Sequence, residues 1–184
     1  MTFLTDIDQR LFFLINGRWI SPALDRFMVL ATNQETGILI ILAILVAFSV
    51  LGRRKGRIAS LSAVLAYAFI DPVGHYIIKP LFARPRPCHL EIGRLLVDCG
   101  SGLAMPSLHS AASWGVFTAI VAFFGAPALP LFILAIIVGY SRVYVGVHWP
   151  FDVIVGAVYG AGIGLLAATI LKKFFMKEKN AQKA

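Results

Sequence analysis

The chain has 184 residues, of which 59% are hydrophobic and 14% charged, and its mean hydropathy is +0.82. Ordinary soluble domains are about 45–50% apolar and about 25% charged, so this composition excludes a soluble globular protein and describes one embedded in a membrane. A net charge of +8 would suggest nucleic acid in a soluble chain. Here many Lys and Arg lie in short segments beside apolar runs, so they read as topology signals and anion ligands, and nucleic acid is not an expected partner.

The first residues do not read as a cleavable signal peptide, because Asp6, Asp8 and Arg10 interrupt them and no basic region precedes an apolar core with a small-residue cleavage site. The N-terminus is expected to stay on the protein. Leu4, Ile7, Leu11, Phe12, Leu14 and Ile15 fall roughly on one helical face, with Asp8, Gln9 and Asn16 elsewhere. This pattern fits an amphipathic helix lying in the membrane interface and equally a helix packed within a bundle. Residues Ser21 to Asn33 are too short and too polar a stretch to span alone.

A spanning helix needs about 20 mostly apolar residues. Five segments qualify: Glu35 to Leu51, Ile58 to Phe82, Ser107 to Phe124, Ala128 to Tyr144, and Phe151 to Leu171. The expected fold is therefore all-α, a polytopic bundle of about five transmembrane helices preceded by the amphipathic helix. With no low-complexity linker or internal repeat, a single domain is expected: interfacial helices over 1–34, a transmembrane core over 35–171 and a basic tail over 172–184.

Basic residues in short connections stay cytoplasmic. Arg53, Arg54, Lys55 and Arg57 crowd the first connection, and Lys172, Lys173, Lys177, Lys179 and Lys183 the C-terminus, so both belong inside. Alternation then puts the N-terminus, the Lys79 to Met105 connection and the Ser141 to Pro150 connection on the outer side. Lys79, Arg84, Arg86, Arg94 and Arg142 also lie there, against the charge rule, and anion binding explains them. Cys88 and Cys99, the only cysteines, share this outer connection. An oxidising compartment would allow a bridge between them, with two free thiols as the alternative.

Three clusters at the outer ends of the spans carry chemistry. The first runs from Lys79 to Pro87 and contains Arg84 and Arg86. A membrane lysine costs roughly 2.5–3.5 kcal/mol at mid-bilayer and is usually retained for a partner. Prolines stiffen the chain presenting the two arginines, whose forks match paired phosphate oxygens. The plainer alternative is a set of snorkelling anchors.

In the second cluster, Met105 to Ser110, Ser107 is expected as the N-cap of the third span. The free amides of Leu108 and His109 would then face outward with the positive end of the helix dipole, an arrangement that binds phosphate. His109 would stand within a turn of that anion, ready to protonate a departing oxygen, or be a satisfied structural histidine. The third cluster is Ser141 to Asp152. Pro150 fits the first turn of the fifth span, leaving His148 just before the helix and Asp152 within it. A carboxylate so placed can hold the proton on one imidazole nitrogen and free the other to attack. A buried ion pair stabilising the helix start is the alternative.

Six residues separate Lys79 from Arg86-Pro87; Pro106-Ser107-Leu108-His109 follows; Ser141-Arg142 then precedes His148, with Asp152 four residues beyond it. In order and internal spacing these signatures resemble the type 2 phosphatidic acid phosphatase superfamily, from Lys79 to Asp152 by motif and over the other spans by architecture. The resemblance implies that Lys79, Arg86 and Arg142 hold phosphate oxygens, with Ser107 and the amides near Leu108 completing the cradle. It further implies that His148 attacks phosphorus to form a phosphohistidine, Asp152 orients His148, and His109 protonates the leaving lipid oxygen. No metal or other cofactor is expected, since the lysine and arginines supply the positive charge. Leu108 departs from the Pro-Ser-Gly-His common in the family. Leucine restricts unusual dihedrals and close anion approach if the backbone is not helical, and is a candidate contact for the lipid chain.

Asp71, His75 and Lys79 fall at helical spacing on one face of the second span, as a polar relay or as a network orienting Lys79. Pro72 is positioned to kink that span. Glu91, Arg94 and Asp98 are positioned to close over a headgroup or to form a solvated loop. The expected activity is hydrolysis of a membrane lipid phosphate or diphosphate such as undecaprenyl diphosphate, phosphatidylglycerol phosphate, phosphatidate or lipid A phosphate. The expected setting is a bacterial inner membrane with the site on the periplasmic side. Transfer of phosphate to a second lipid by the same site, and lipid-phosphate binding or transport without turnover, are the alternatives.

Overall fold

In hydrocarbon every backbone N–H and C=O must be bonded within its own segment, so apolar runs have to become helices. The computed structural model describes residues 3–176, which form eight α-helices and no strand. They are α1 (Phe3–Phe13), α2 (Pro22–Thr32), α3 (Gln34–Leu51), α4 (Arg53–Val73), α5 (Lys79–Phe82), α6 (Leu108–Phe124), α7 (Leu131–Tyr144) and α8 (Pro150–Met176). Stretches Gln34–Leu51, Arg53–Leu90, Ala126–Tyr144 and Pro150–Phe175 are long and apolar enough to cross a membrane, and α6 is a shorter apolar helix of 17 residues. The protein is thus an integral membrane helix bundle, with helices at all five expected spans.

The second span starts at Arg53 rather than Ile58. Its basic first turn is too polar for hydrocarbon, but a helix continues into the interface, where that polarity is free of cost. Beyond Pro72 it becomes a π-helical turn, Gly74–Ile78, and then α5. Proline removes a ladder hydrogen bond, and the wider turn absorbs the break.

Helix α6 stands in the middle, packed against α4, α7 and α8. Because protein surrounds it, about 26 Å of helix suffices at ~1.5 Å per residue. Helix α8 reaches it closely through Gly156, Gly160 and Gly164, which recur every four residues. A Cβ at Gly160 would lie 2.0 Å from the Ala111 carbonyl oxygen, one at Gly164 2.2 Å from that of Gly115, and one at Gly156 2.4 Å from that of Ser107. Small residues at such a crossing let backbones meet where no hydrophobic effect drives them together.

Of the two readings of the N-terminal segment, α1 takes the packed one. Asp8, Phe12 and Asn16 are at most 1% exposed, while Phe3, Leu4 and Phe13 face outward. The polar side therefore turns to the protein and the apolar flank is left for the membrane. A π-helical turn, Leu14–Arg18, leads to the short α2, where Ser21 accepts the Leu24 amide at 3.2 Å as N-cap. At the opposite end of the bundle Arg54 donates to the Phe175 carbonyl at 3.0 Å, so the basic first connection and the start of the basic tail share one side. Lys177, Lys179 and Lys183 lie outside the described residues.

Candidate active site

Four chain segments converge at the other end: the stretch after α5, the start of α6, the end of α7 and the start of α8. The Ser107 amide donates to the Asp152 carbonyl at 2.9 Å, and Trp149 Nε1 to the Pro85 carbonyl at 3.1 Å. Cys88 and Cys99 are joined in a disulfide, which closes the loop that follows α5. A cavity of about 440 Å³ opens between these segments, lined by Lys79, Arg86, Leu108, His109, Arg142 and His148. It continues between α2, α3, α4 and α7 past Phe27, Ile38, Ile41, Tyr67 and Ile137, so a basic chamber leads into an apolar groove.

The three cations around the chamber are anchored by neutral groups. Lys79, 4% exposed, donates to the Leu103 carbonyl. Arg86 donates through Nε to Gly102 and through Nη1 to Cys99, both at 2.7 Å. Arg142 donates to the Thr32 hydroxyl, and its buried Nε has no partner among the described residues. Each side chain is fixed in place, and among the described residues none of the three forms an ion pair with a carboxylate.

Ser107 sits at the N-cap of α6, as expected, with φ −72° and ψ 111°, and among the described residues its hydroxyl makes no capping bond. The residue is fully buried, its amide is engaged by Asp152, and its Oγ has no hydrogen-bond partner among the described residues. The first backbone bond of the helix runs from the Ala111 amide to the Ser107 carbonyl at 2.9 Å. The amides of Leu108, His109 and Ser110 thus have no partner within the helix. A buried unpaired hydroxyl, an unpaired guanidinium nitrogen and free helix-end amides form a donor set for which an anion is the complement.

Leu108 adopts ordinary helical geometry, so the position needs no glycine. Its Cδ2 fills the space beside Gly74, where an added Cβ would come within 2.4 Å. Leucine at 108 is accommodated by glycine at 74.

His148 is 2% exposed. Its Nδ1 faces Asp152 Oδ2 at 3.4 Å, and the same oxygen accepts the Trp149 amide at 2.8 Å. Burial, reinforced by Arg142, Arg86 and Lys79, pushes the imidazole well below its ordinary pKa. His148 is therefore neutral at physiological pH, with a lone pair available. His109 lines the same chamber from the first turn of α6.

Two arginines of this end are engaged by carboxylates. Arg84, grouped with Arg86 in the first cluster as an accessory anion ligand or a snorkelling anchor, donates through Nη1 to Asp152 Oδ1 at 2.8 Å and through Nη2 to Asp8 of α1. Its fork holds two carboxylates, and it does not line the chamber. Arg94, expected as a headgroup cover or loop residue, grips Asp25 of α2 through both nitrogens at 2.9 Å, and Tyr144 Oη donates to Asp25 at 2.6 Å. Arg94 and Tyr144 hold the Asp25 carboxyl below its ordinary range. Asp71 and His75 line the cavity with Lys79, across the π-helical turn.

The sequence reading overlooked Asp8, Asn16, Asp25 and Thr32. Asn16 donates to the Arg94 and Tyr144 carbonyls at 2.8 and 2.7 Å and accepts the Arg94 amide at 2.6 Å. Asp8 accepts the Phe151 amide at 2.9 Å. Burial raises the Asp8 carboxyl while Arg84 and that amide pull it back. The available signal was the spacing of Asp8, Phe12 and Asn16 on one helical stripe.

Residues 57–176 match the family model described as the PAP2 superfamily. The chain is similar to the lipid A 4'-phosphatase of Bacteroides thetaiotaomicron, 31% identical over 180 residues covering 93% of this chain and 80% of that protein. It is also 35% identical to the decaprenylphosphoryl-5-phosphoribose phosphatase of Mycobacterium tuberculosis over 120 residues, 64% of this chain and 62% of that one. The crystal structure of Aquifex aeolicus LpxE superposes with a TM-score of 0.68 at 27% identity, covering 89% of this chain and 95% of that chain.

Proposed function

The chain belongs to the PAP2 superfamily and is a membrane phosphatase, and from that footing we propose that it releases orthophosphate from a membrane lipid phosphate through a phosphohistidine. The observation that carries this reading is that His109, in the first turn of α6, and His148, in the connection between α7 and α8, line one chamber with Lys79, Arg86 and Arg142. The phosphoryl group lies among the three cations and the amides at the start of α6. The free imidazole nitrogen of His148 donates its lone pair to phosphorus, the bond from phosphorus to the lipid oxygen breaks, and His109 delivers a proton to that oxygen. Asp152 holds the other imidazole nitrogen and balances the positive charge that the ring gains. Water, deprotonated by His109, then attacks the phosphohistidine, breaks the P–N bond and releases phosphate. Lys79, Arg86 and Arg142 neutralise the transferring group, and the scheme assigns no step to a metal.

The apolar groove running from the chamber fits an acyl or prenyl chain, and relatives named for lipid A and decaprenyl-linked substrates support a lipid phosphate. The phosphate end lies opposite the basic Arg53 to Arg57 turn, which supports a site on the periplasmic side of a bacterial inner membrane, in a single domain. Purified protein is assayed for orthophosphate release from phosphatidate, phosphatidylglycerol phosphate, undecaprenyl diphosphate and lipid A, with and without chelator. Release that survives chelator and vanishes in His148→Ala is expected. Release that persists in His148→Ala removes the nucleophile and the mechanism with it.

A further inference from the structure

Asp8 lies on α1, before the region that matches the family model, and it is fully buried. One of its oxygens accepts the Phe151 amide at 2.9 Å, in the first turn of α8, and the other accepts Arg84. Arg84 passes the contact on to Asp152 Oδ1 at 2.8 Å, and the second oxygen of Asp152 faces His148 at 3.4 Å. An unbroken line of charged contacts therefore runs from α1 to the imidazole. Apolar groups brace it: the Arg84 guanidinium lies 5.2 Å from the Trp149 ring, and that ring packs against Phe12 with centroids 5.0 Å apart.

The arrangement matters because one guanidinium serves two carboxylates. Paired with Arg84 alone, Asp152 would form a neutral couple, poorly suited to support an imidazole that becomes cationic when it attacks phosphorus. With Asp8 present, one guanidinium is divided between two carboxyl groups, so Arg84 is not spent on Asp152 alone. Asp8 also pins the Arg84 fork, keeping this guanidinium out of the phosphate chamber and fixing which oxygen Asp152 turns to His148.

Resting on the phosphohistidine reading above, we propose that Asp8 is a positioning residue: through Arg84 it sets the orientation and charge of Asp152, and so of His148. The N-terminal helix is thereby part of the catalytic apparatus, not only a membrane anchor. Asp8→Asn retains an acceptor for the Phe151 amide and loses the charge. In detergent-solubilised full-length protein acting on short-chain phosphatidate, it is expected to lower kcat roughly 10- to 100-fold, the scale set by small misplacements of catalytic groups. KM stays near the wild-type value, because Asp8 does not touch the chamber. A folded Asp8→Asn with wild-type kcat, or with a loss confined to KM, overturns the inference. Should Asp8→Asn fail to fold, Arg84→Lys decides, since lysine keeps the charge but cannot span both carboxylates. The same fall in kcat is expected, and wild-type kcat overturns the inference. A wild-type protein that releases no phosphate from any lipid of the panel sinks the functional reading itself, whereas an active wild type beside unimpaired variants sinks only the role of Asp8.

Discussion

Arg86 and Arg142 are held by neutral oxygens, whereas Arg84 and Arg94 are held by carboxylates. All four sit toward the same end of the bundle. The first pair, with Lys79, is clamped by backbone carbonyls and a hydroxyl that orient a cation without cancelling it. The second pair is spent on Asp8, Asp152 and Asp25, tying α1 and α2 to the rest of the molecule. A cation's partner thus separates the two pairs: a neutral acceptor leaves charge for a ligand, and a carboxylate takes the cation out of the phosphate chamber.

The largest effect that tests this contrast comes from the chamber. Arg86→Ala and Arg142→Ala are each expected to lower kcat/KM by about 10²–10³-fold, the usual consequence of deleting one preorganised donor to a developing anion. Phosphate release at matched levels of folded protein measures it, and near-normal turnover in either variant breaks the assignment of uncompensated charge to the substrate. The pH profile sharpens it. In the proposed mechanism His148 must be neutral to attack, and its folded pKa lies well below the ordinary 6.5, through burial and through Arg142 of α7 and Arg86 and Lys79 of the α5 segment, with a backbone hydrogen bond at Ala104 opposing and Asp152 of α8 facing its Nδ1 at 3.4 Å. The imidazole therefore stays neutral as pH falls through 6.5, and the acid limb of kcat/KM appears below that value, falling about tenfold per pH unit beyond it. A limb centred at or above 6.5 contradicts the cationic chamber.

The smallest effect belongs to the Arg94–Asp25 clasp. Asp25→Ala is expected to lower Tm by roughly 2–4 °C, a modest loss for a chain of this length, and to leave kcat at the wild-type level. Thermal unfolding in detergent alongside the activity assay reads both, and a collapse of kcat in the folded variant shows that the Arg94 clasp serves the chamber after all.

The bundle and most of the chamber were legible in the sequence because their signals are local. Apolar length specifies a spanning helix wherever it occurs, and the spacings around Lys79, Arg86, Ser107, His109, Arg142, His148 and Asp152 place those residues at helix ends on one side. That Gly156, Gly160 and Gly164 form the ridge bringing the start of α8 to the start of α6 came only from the structure. Arg84 was not legible. In Arg84-Pro85-Arg86 the resemblance singles out Arg86 for phosphate but is silent on the partner of Arg84, which is Asp8, 76 residues earlier. Nor was the facing of α1, since in a membrane protein a polar stripe turns inward as readily as outward.

Composition and hydrophobic run length, then, determined that this chain is a membrane helix bundle, and motif spacing determined which side chains stand together at one end of it. Only the tertiary structure decided which cations remain uncompensated and which are consumed by carboxylates. Helix formation follows from the nearby chain, whereas the partner of a buried charge is chosen by helices that meet across the fold, at sequence distances no local pattern encodes.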